Sequence, residues 1–332
     1  MESGRPRISI LINNYNYAQY LGEAIASALA QTYPHTEVIV VDDGSSDNSA
    51  DVARQFSGIR TIFKPNGGQT SAVRAGLAAA SGDIVILLDS DDLLYPEACA
   101  SIADAWDEET SYVQFRLRLF SSENPDIGVT PPDRFVTNHK TFFLRHGRFP
   151  YAPTSGNAFS RKWAMRILDV TQTADRSFCD MILAMCSALC GKVAVIDRCL
   201  GAYRVHQKNT SWRVGLKGEY NVARDAEQRI RTFAAHMGIA IRKNQTLTGP
   251  YFHQWAVKLY LTGDPDISPA EARKNAFQMI RSFLTFPGLP LKARVSNLVV
   301  AAVVILSPPL ARWLFAGSVK WSNSPIPQAR AK

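Results

Sequence analysis

The segment Asp83–Asp92, DIVILLDSDD, sets five consecutive apolar residues directly against three carboxylates, Asp89, Asp91 and Asp92. Three of the five are β-branched. A short run of this kind, without polar alternation, reads as a strand covered on both faces, as in the interior of a parallel sheet. Working outward, ISILI (Ile8–Ile12), EVIVV (Glu37–Val41) and TIF (Thr61–Phe63) repeat the signal. Helix-period patterns lie between them, near 17–30, 46–56 and 69–80. Strand–helix alternation with short connections predicts an α/β fold with a doubly wound, mostly parallel, Rossmann-like sheet and right-handed crossovers. In such sheets ligands bind beyond the carboxyl ends of the strands. NNYNY follows the first strand, DDGSSD the second and DSDD the fourth, so three polar clusters share one rim and point to a site there.

The 332 residues suffice for one large domain or two modest ones, and the composition is that of an ordinary globular protein. Five cysteines without a CxxC pair argue against a disulfide framework and against structural zinc. MESGRPRISI offers no apolar h-region, so no secretory signal peptide is expected. The net charge of +8 is unevenly placed: from Arg273 onward there are nine Lys or Arg and no acid, leaving 28 basic and 29 acidic side chains in residues 1–272. The body is neutral and the tail basic, which suits nucleic acid or an anionic surface.

Residues 111–211 are less regular. SYVQFRLRLF and KVAVI are strand-like, and NHKTFFLRHGRFPYAPTSGNAFSR (138–161) reads as loop-rich. Beyond Trp212 the character turns helical. A helix is expected over Glu219–Met237, and another opens at SPAEARKNAFQMI with Ser268 as N-cap, Pro269 at the first position and Glu271 reaching back. A boundary within 212–218 divides the chain into a domain of residues 1–215 and a helical C-terminal region of 216–332.

Three acids as close as Asp89, Asp91 and Asp92 repel one another unless a cation or protons intervene. Oxygen-only ligands suit Mg²⁺ or Mn²⁺, and Mg²⁺ completes its shell with water and substrate phosphates. The competing reading is a solvated turn capping the helix that follows. Asp42 and Asp43 end another strand and could accept from a base or ribose, or simply belong to a turn capped by Ser46 or Asp47.

SILINNYNYAQYLGEAIASALAQTYPHTEVIVVDDGSSDNS and NGGQTSAVRAGLAAASGDIVILLDSDD together resemble the family 2 inverting glycosyltransferases of GT-A fold. The resemblance runs over roughly residues 7–212. It implies a nucleoside-diphosphate-sugar donor lying across the strand ends. Asn14 and Tyr15 match positions lining the nucleotide, Asp43 the acid at the base, and Arg74 a basic residue near base and ribose. Asp89 would meet the ribose or the metal and Asp91 would bind the metal as the end of a DxD motif, with Asp92 behind them. The alternatives stay open: Tyr15 as a packing residue and Arg74 as a surface charge.

The family's general base, an Asp closing an acidic pair, matches Asp180 in ADRSFCDMILAMCSALCGKVAVIDRCLGAYRVHQKNTS. Cys179 stands where the first acid is usual, and N-capping of the following helix is the other role open to Asp180. YRVHQKNTS offers Arg204 and His206 for the diphosphate or the metal, and APTSGNAFSR offers Ser155 and Gly156 beside the acceptor entrance. The QxxRW pattern of processive synthases is missing, which implies non-processive addition.

Val295–Ala311, VSNLVVAAVVILSPPLA, holds no charge over seventeen residues. Its length is marginal for a span, and Ser, Asn and Pro-Pro weaken it further. The expectation is a helix at a membrane surface, with Arg and Lys at anionic headgroups and Trp313, Phe315 and Trp321 at the interface. A buried core helix is the alternative; nucleic acid is disfavoured by the aliphatic block. The sequence therefore points to a transferase of polysaccharide biosynthesis at the cell envelope. It would sit in the cytoplasm, peripheral at the inner face of the plasma membrane, acting on a glycan or lipid-linked acceptor. Two other classes are weighed. A nucleotidyltransferase expects a glycine-rich first loop with a basic residue, where this chain has NNYNYAQY. A non-catalytic binder of nucleotide sugars or glycans is permitted by Cys179.

Overall fold

The computed structural model describes residues 5–130, 135–171, 179–206, 209, 215–242, 245, 247, 251–285 and 291–315. Strands β1 (Ile8–Asn14), β2 (Thr36–Asp42), β3 (Ile59–Phe63) and β4 (Ile84–Asp89) run parallel in the order β3-β2-β1-β4. Helices α1 (Ala18–Leu29), α2 (Ser49–Arg54) and α3 (Gln69–Ala79) connect them. The unbroken apolar runs have a simple cause. Side chains alternate faces along a strand, and here both faces are covered. Ile8, Ile10, Ile12, Ile84 and Ile86 pack with Leu21 and Ile25 on one side. Leu11, Ile39, Val41, Val85 and Leu87 pack with Val73 and Leu77 on the other.

Past β4 come β5 (Leu93–Leu94), α4 (Ala98–Asp104), β6 (Thr110–Phe120), β7 (Gly128–Val129) and α5 (His139–His146). A 3₁₀ turn (Thr154–Gly156) leads into β8 (Asn157–Ser160), then α6 (Arg161–Thr171), α7 (Cys179–Cys190) and β9 (Lys192–Arg204). The sheet order is β3-β2-β1-β4-β8-β6-β9-β5, with β7 on β6. β8 is antiparallel to both β4 and β6, while β6 and β9 are parallel. The sheet is thus mixed. The stretch expected to be loop-rich holds α5, capped by Asn138 Oδ1 accepting from Thr141 N at 3.2 Å, and β8, which seats a four-residue strand at the centre of the sheet. Gly201 lets β5 close the edge, since a Cβ there would lie 2.4 Å from the Leu93 carbonyl oxygen.

The C-terminal region contains α8 (Leu216–His236), α9 (Tyr251–Leu261), α10 (Pro269–Thr285), α11 (Leu291–Leu306) and α12 (Pro308–Phe315). α8 overlaps the helix expected over Glu219–Met237, and residues 210–214 before it lie outside the described ones. Its Tyr220 packs into a helical core with Tyr260, Phe283 and Val304, and its Ile230 and Phe233 pack under the sheet with α6 and α7. One helix therefore joins both cores. Ser268 Oγ caps α10, accepting from Glu271 N at 3.2 Å. The Glu271 carboxylate accepts from Tyr220 Oη at 3.5 Å. α10 and α11 run antiparallel: Arg294 Nη1 donates to the carbonyls of Phe283 and Leu284, and Arg273 Nε to that of Ile305. The apolar tail is two helices rather than one, because Pro308 and Pro309 cannot continue α11. Among the described residues no helix is long and apolar enough to cross a membrane; Trp321 lies outside them. All five cysteines are free thiols.

Candidate active site

The rim is built by side chains that zip neighbouring strand ends together. Parallel register sets Asn13 beside Asp89 and Asn14 beside Asp42. Asn13 Nδ2 donates to Asp89 Oδ1 at 3.1 Å, and Asn14 Nδ2 to Asp42 Oδ1 at 2.8 Å. Ser45 Oγ donates to the same Asp42 oxygen and accepts from Asn16 N, whose residue holds a left-handed φ of 57°. Asp47 accepts from Ala18 N and Ser49 N, tying the first turns of α1 and α2. Asn13 Oδ1 and Asn14 Oδ1 are buried and without a hydrogen-bond partner. An orphaned buried acceptor is costly, and at this rim a donor group on a ligand would relieve it. Tyr15 is half exposed above them.

Asp43, expected to meet a base, is 3% exposed and already accepts four hydrogen bonds. Lys64 Nζ and Gly67 N donate to Oδ1; Asn66 Nδ2 and Gly68 N donate to Oδ2. The carboxylate thus shapes loop 64–68 ahead of α3. Gly44 permits the arrangement with a φ of +75°, where a Cβ would stand 2.7 Å from Asn66 N.

The four residues Asp89–Asp92 divide their work. Asp92 faces inward, accepting from Ser155 Oγ at 2.6 Å and Arg204 N at 2.9 Å. Burial first, then the charges of Asp91 and Asp89, push its pKa far above the usual carboxylate range. The expected metal-binding role for Asp92 therefore gives way to a structural one. Asp91 Oδ2 lies 2.9 Å from His206 Nε2, and the His206 ring rests against Tyr17 and Tyr20. His206 thus orients Asp91, as partners of metal-binding carboxylates do. Asp89 accepts from Asn13 and, at 3.4 Å, from Gln69 Nε2. Burial, then the negative charges of Asp91 and Asp180, raise its pKa to about 7.

Asp180 sits in the first turn of α7, close enough to Asp89 for its charge to help raise the Asp89 pKa. Thr154 Oγ1 donates to its Oδ2 at 3.4 Å. Burial raises its pKa, opposed by the Met181 N–H, the Thr154 hydroxyl and the Arg148 cation. The local N–H contribution sets the Asp180 carboxylate against the first turn of α7; residues 172–178 before it lie outside the described ones. Cys179 is fully buried, and burial, then the charge of Asp180, pushes its thiol pKa well up, so it remains a neutral thiol behind the rim.

Two further expectations are corrected. Arg74 turns away, its guanidinium holding Asp169 and the Leu168 carbonyl of α6. Arg204 is buried between the rings of Tyr20 and Phe120 and donates to the Asp91 carbonyl and to Glu23. Arg74, expected near base and ribose, is held by α6, and Arg204, expected at the diphosphate or the metal, is held by Glu23 and the Asp91 carbonyl. Ser155 belongs to the rim scaffold: its Oγ accepts from Asp89 N while donating to Asp92. Gly156 is packed against Ala152 and the Phe115 carbonyl. Asn13, Gln69, Thr154 and Asn209 come to the site without having been expected. Asn13 and Thr154 each had a nearby signal, one residue before Asn14 and Ser155, and Asn209 lies in the quoted YRVHQKNTS.

Among the described residues no three His, Cys, Asp or Glu side chains converge into a ready-made metal cage. Asp89 and Asp91 still fit a hard divalent cation that keeps its waters and takes its remaining ligands from phosphate, since such a site needs only one or two carboxylates.

Residues 9–168 match the model of the family described as glycosyl transferase family 2. An uncharacterized glycosyltransferase of Nostoc sp. is 34% identical over 212 residues, covering 61% of this chain and 66% of the relative. One of Rickettsia typhi is 36% identical over 139 residues, covering 41% of this chain and 44% of the relative. The match thus spans less than half the Rickettsia protein. Among solved structures, S. aureus TarS 1-349 in complex with UDP-GlcNAc aligns over 94% of this chain and 91% of that one, with a TM-score of 0.61 and 16% identity. At that identity the likeness is one of fold.

Proposed function

This chain belongs to glycosyl transferase family 2 and has the GT-A fold, and from that premise we propose that it transfers a sugar, with inversion, from a nucleoside-diphosphate-sugar to a hydroxyl of a glycan or lipid-linked acceptor, one addition at a time. The observation that carries the reading is the meeting of Asp89, Asp91 and Asp180 at the strand-end rim, with Asp89 pushed to about 7. The carboxylates of Asp91 and Asp180 both raise the pKa of Asp89. A cation and a substrate hydroxyl would offset that like-charge crowding.

In this account the donor lies over the ends of β1, β2 and β4. The orphaned oxygens of Asn13 and Asn14 accept from its polar hydrogens. Asp89 and Asp91 would hold Mg²⁺ or Mn²⁺. That ion, when bound, neutralises charge developing on the departing diphosphate. Asp180 accepts the proton of the acceptor hydroxyl as its oxygen attacks the anomeric carbon, opposite the leaving group. The C–O bond to the diphosphate breaks, and its electron pair leaves with the nucleotide. A raised pKa makes Asp180 a stronger base than an exposed carboxylate. Thr154 and Arg148 oppose that rise and favour the ionised form.

TarS, which shares the fold, is described in complex with UDP-GlcNAc, and this supports a nucleotide-sugar donor here. The test is turnover of a UDP-, GDP- and dTDP-sugar panel by the purified chain with Mn²⁺ or Mg²⁺. At least one donor should be consumed, and Asp91→Asn should abolish that consumption with the melting temperature unchanged. Failure of every donor would overturn the reading.

A further inference from the structure

The proposed reaction leaves the basic C-terminal region without a role. From Arg273 onward there are nine Lys or Arg and no acid. Its described helices α10–α12 pack inward through Phe283, Ala301, Val304 and Ala311. Their outward side is unusual.

On α11, Leu291, Val295, Val299, Ala302 and Leu306 are all exposed, Leu291 at 75% and Leu306 at 81%. Their spacing of four, four, three and four residues keeps them within about 80° of arc at 3.6 residues per turn. They form one ridge along the whole helix, about 22 Å long. α12 adds exposed Leu310, Trp313 and Leu314, with Trp313 79% exposed. Single exposed apolar residues need no explanation, but a ridge in strict helical register does.

Charge decides what covers it. Lys274, Arg281 and Lys292 are exposed on the same helices, and no carboxylate lies beyond Glu271 to offset them. A second copy docked face to face would set cations against cations. Residues 316–332 would do the same, since they add Lys320, Arg330 and Lys332 and no acid. A phospholipid surface carrying negative headgroups satisfies both features, taking the ridge at the acyl boundary and the cations at the phosphates. We propose that α10–α12 dock this chain on an anionic phospholipid bilayer, with α11 lying in the plane of the interface and its Leu291–Leu306 ridge facing the acyl chains. This surface is separate from the rim and does not depend on the reaction assigned to it.

The test is flotation of the full chain with phosphatidylcholine vesicles and with phosphatidylcholine/phosphatidylglycerol vesicles, at low and high salt. The chain should float with the anionic vesicles at least tenfold more than with the neutral ones, and high salt should weaken this. The pair Val295→Asp and Val299→Asp, and the triple set Lys274→Glu, Arg281→Glu and Lys292→Glu, should each lower flotation at least tenfold. All five positions are exposed, and circular dichroism checks the fold; Ser and Gln replacements serve should the charged ones unfold. Absence of flotation, equal flotation on both vesicles, or variants that float like the parent would overturn the proposal. A dimer by light scattering that needs the ridge, without flotation, would also overturn it by assigning the ridge to a second copy.

Discussion

Asp180 answers two conflicting demands: burial favours its neutral form, while proton abstraction needs it ionised. A carboxyl whose folded pKa is raised binds more protons folded than unfolded, so its contribution to stability declines as pH rises through the folded value. Asp180→Asn removes the ionised group from its buried position and keeps the shape. The expected outcome is a loss of transfer of about 10²–10⁴-fold, with a melting temperature at pH 7 equal to or above that of the parent. Turnover assays beside thermal melts check both parts. Asp89 and Asp91 were legible in the sequence because charge at the end of an apolar strand is a local signal, whereas Asp180, in the first turn of a helix, came only from the family resemblance. Arg74 and Arg204 were misread for the opposite reason. Their partners Asp169 and Glu23 lie 95 and 181 residues away, and no local pattern announces a cation committed at that distance.

At the scale of elements, the turn before β8 fixes the geometry between Asp180 and the acids of β4. Asn157 Nδ2 donates to the carbonyls of Ala152, Pro153 and Thr154, at 3.1, 2.6 and 3.1 Å, while its Oδ1 accepts from Tyr112 Oη. Asn157→Ala strips donors from three carbonyls and an acceptor from a buried phenol. We expect a loss of about 2–4 kcal/mol in denaturant melts, given roughly 1–3 kcal/mol for each polar group left unpaired, together with slower transfer because Thr154 and Ser155 shift. The four parallel strands and their helices were readable from doubly buried runs and helical period. β8 was not, since four residues (NAFS) carry no period, and only the sheet's open centre between β4 and β6 makes them a strand.

For the molecule as a whole, the buried polar network behind the site predicts how stability responds to acid. His139 is 4% exposed, and its Nε2 lies 2.9 Å from Gln114 Nε2, an arrangement that holds the ring neutral with the amide donating. Burial lowers its pKa from 6.5 to about 4. The unfolded chain binds this proton first, so folded stability is lost as pH falls from about 6.5 towards 4, by up to about 3 kcal/mol. A His139→Gln variant should show a flatter stability curve across that window. The overall architecture followed from local patterns, and so did the helix expected over Glu219–Met237, which is α8, but not its joining of the sheet core to the C-terminal core. Its two packing partners, through Tyr220 at one end and Phe233 at the other, are tertiary facts.

The central claim is that Asp89 and Asp91 share space because a divalent cation and a nucleoside-diphosphate-sugar join them there. Isothermal titration of the nucleotide-sugar panel, with and without Mn²⁺, into the parent chain and Asp91→Asn tests it most directly. The expected result is saturable binding of at least one donor that strengthens at least tenfold with Mn²⁺ in the parent and gains nothing from Mn²⁺ in the variant. Binding that ignores the ion in both, or no binding of any donor, would contradict the account.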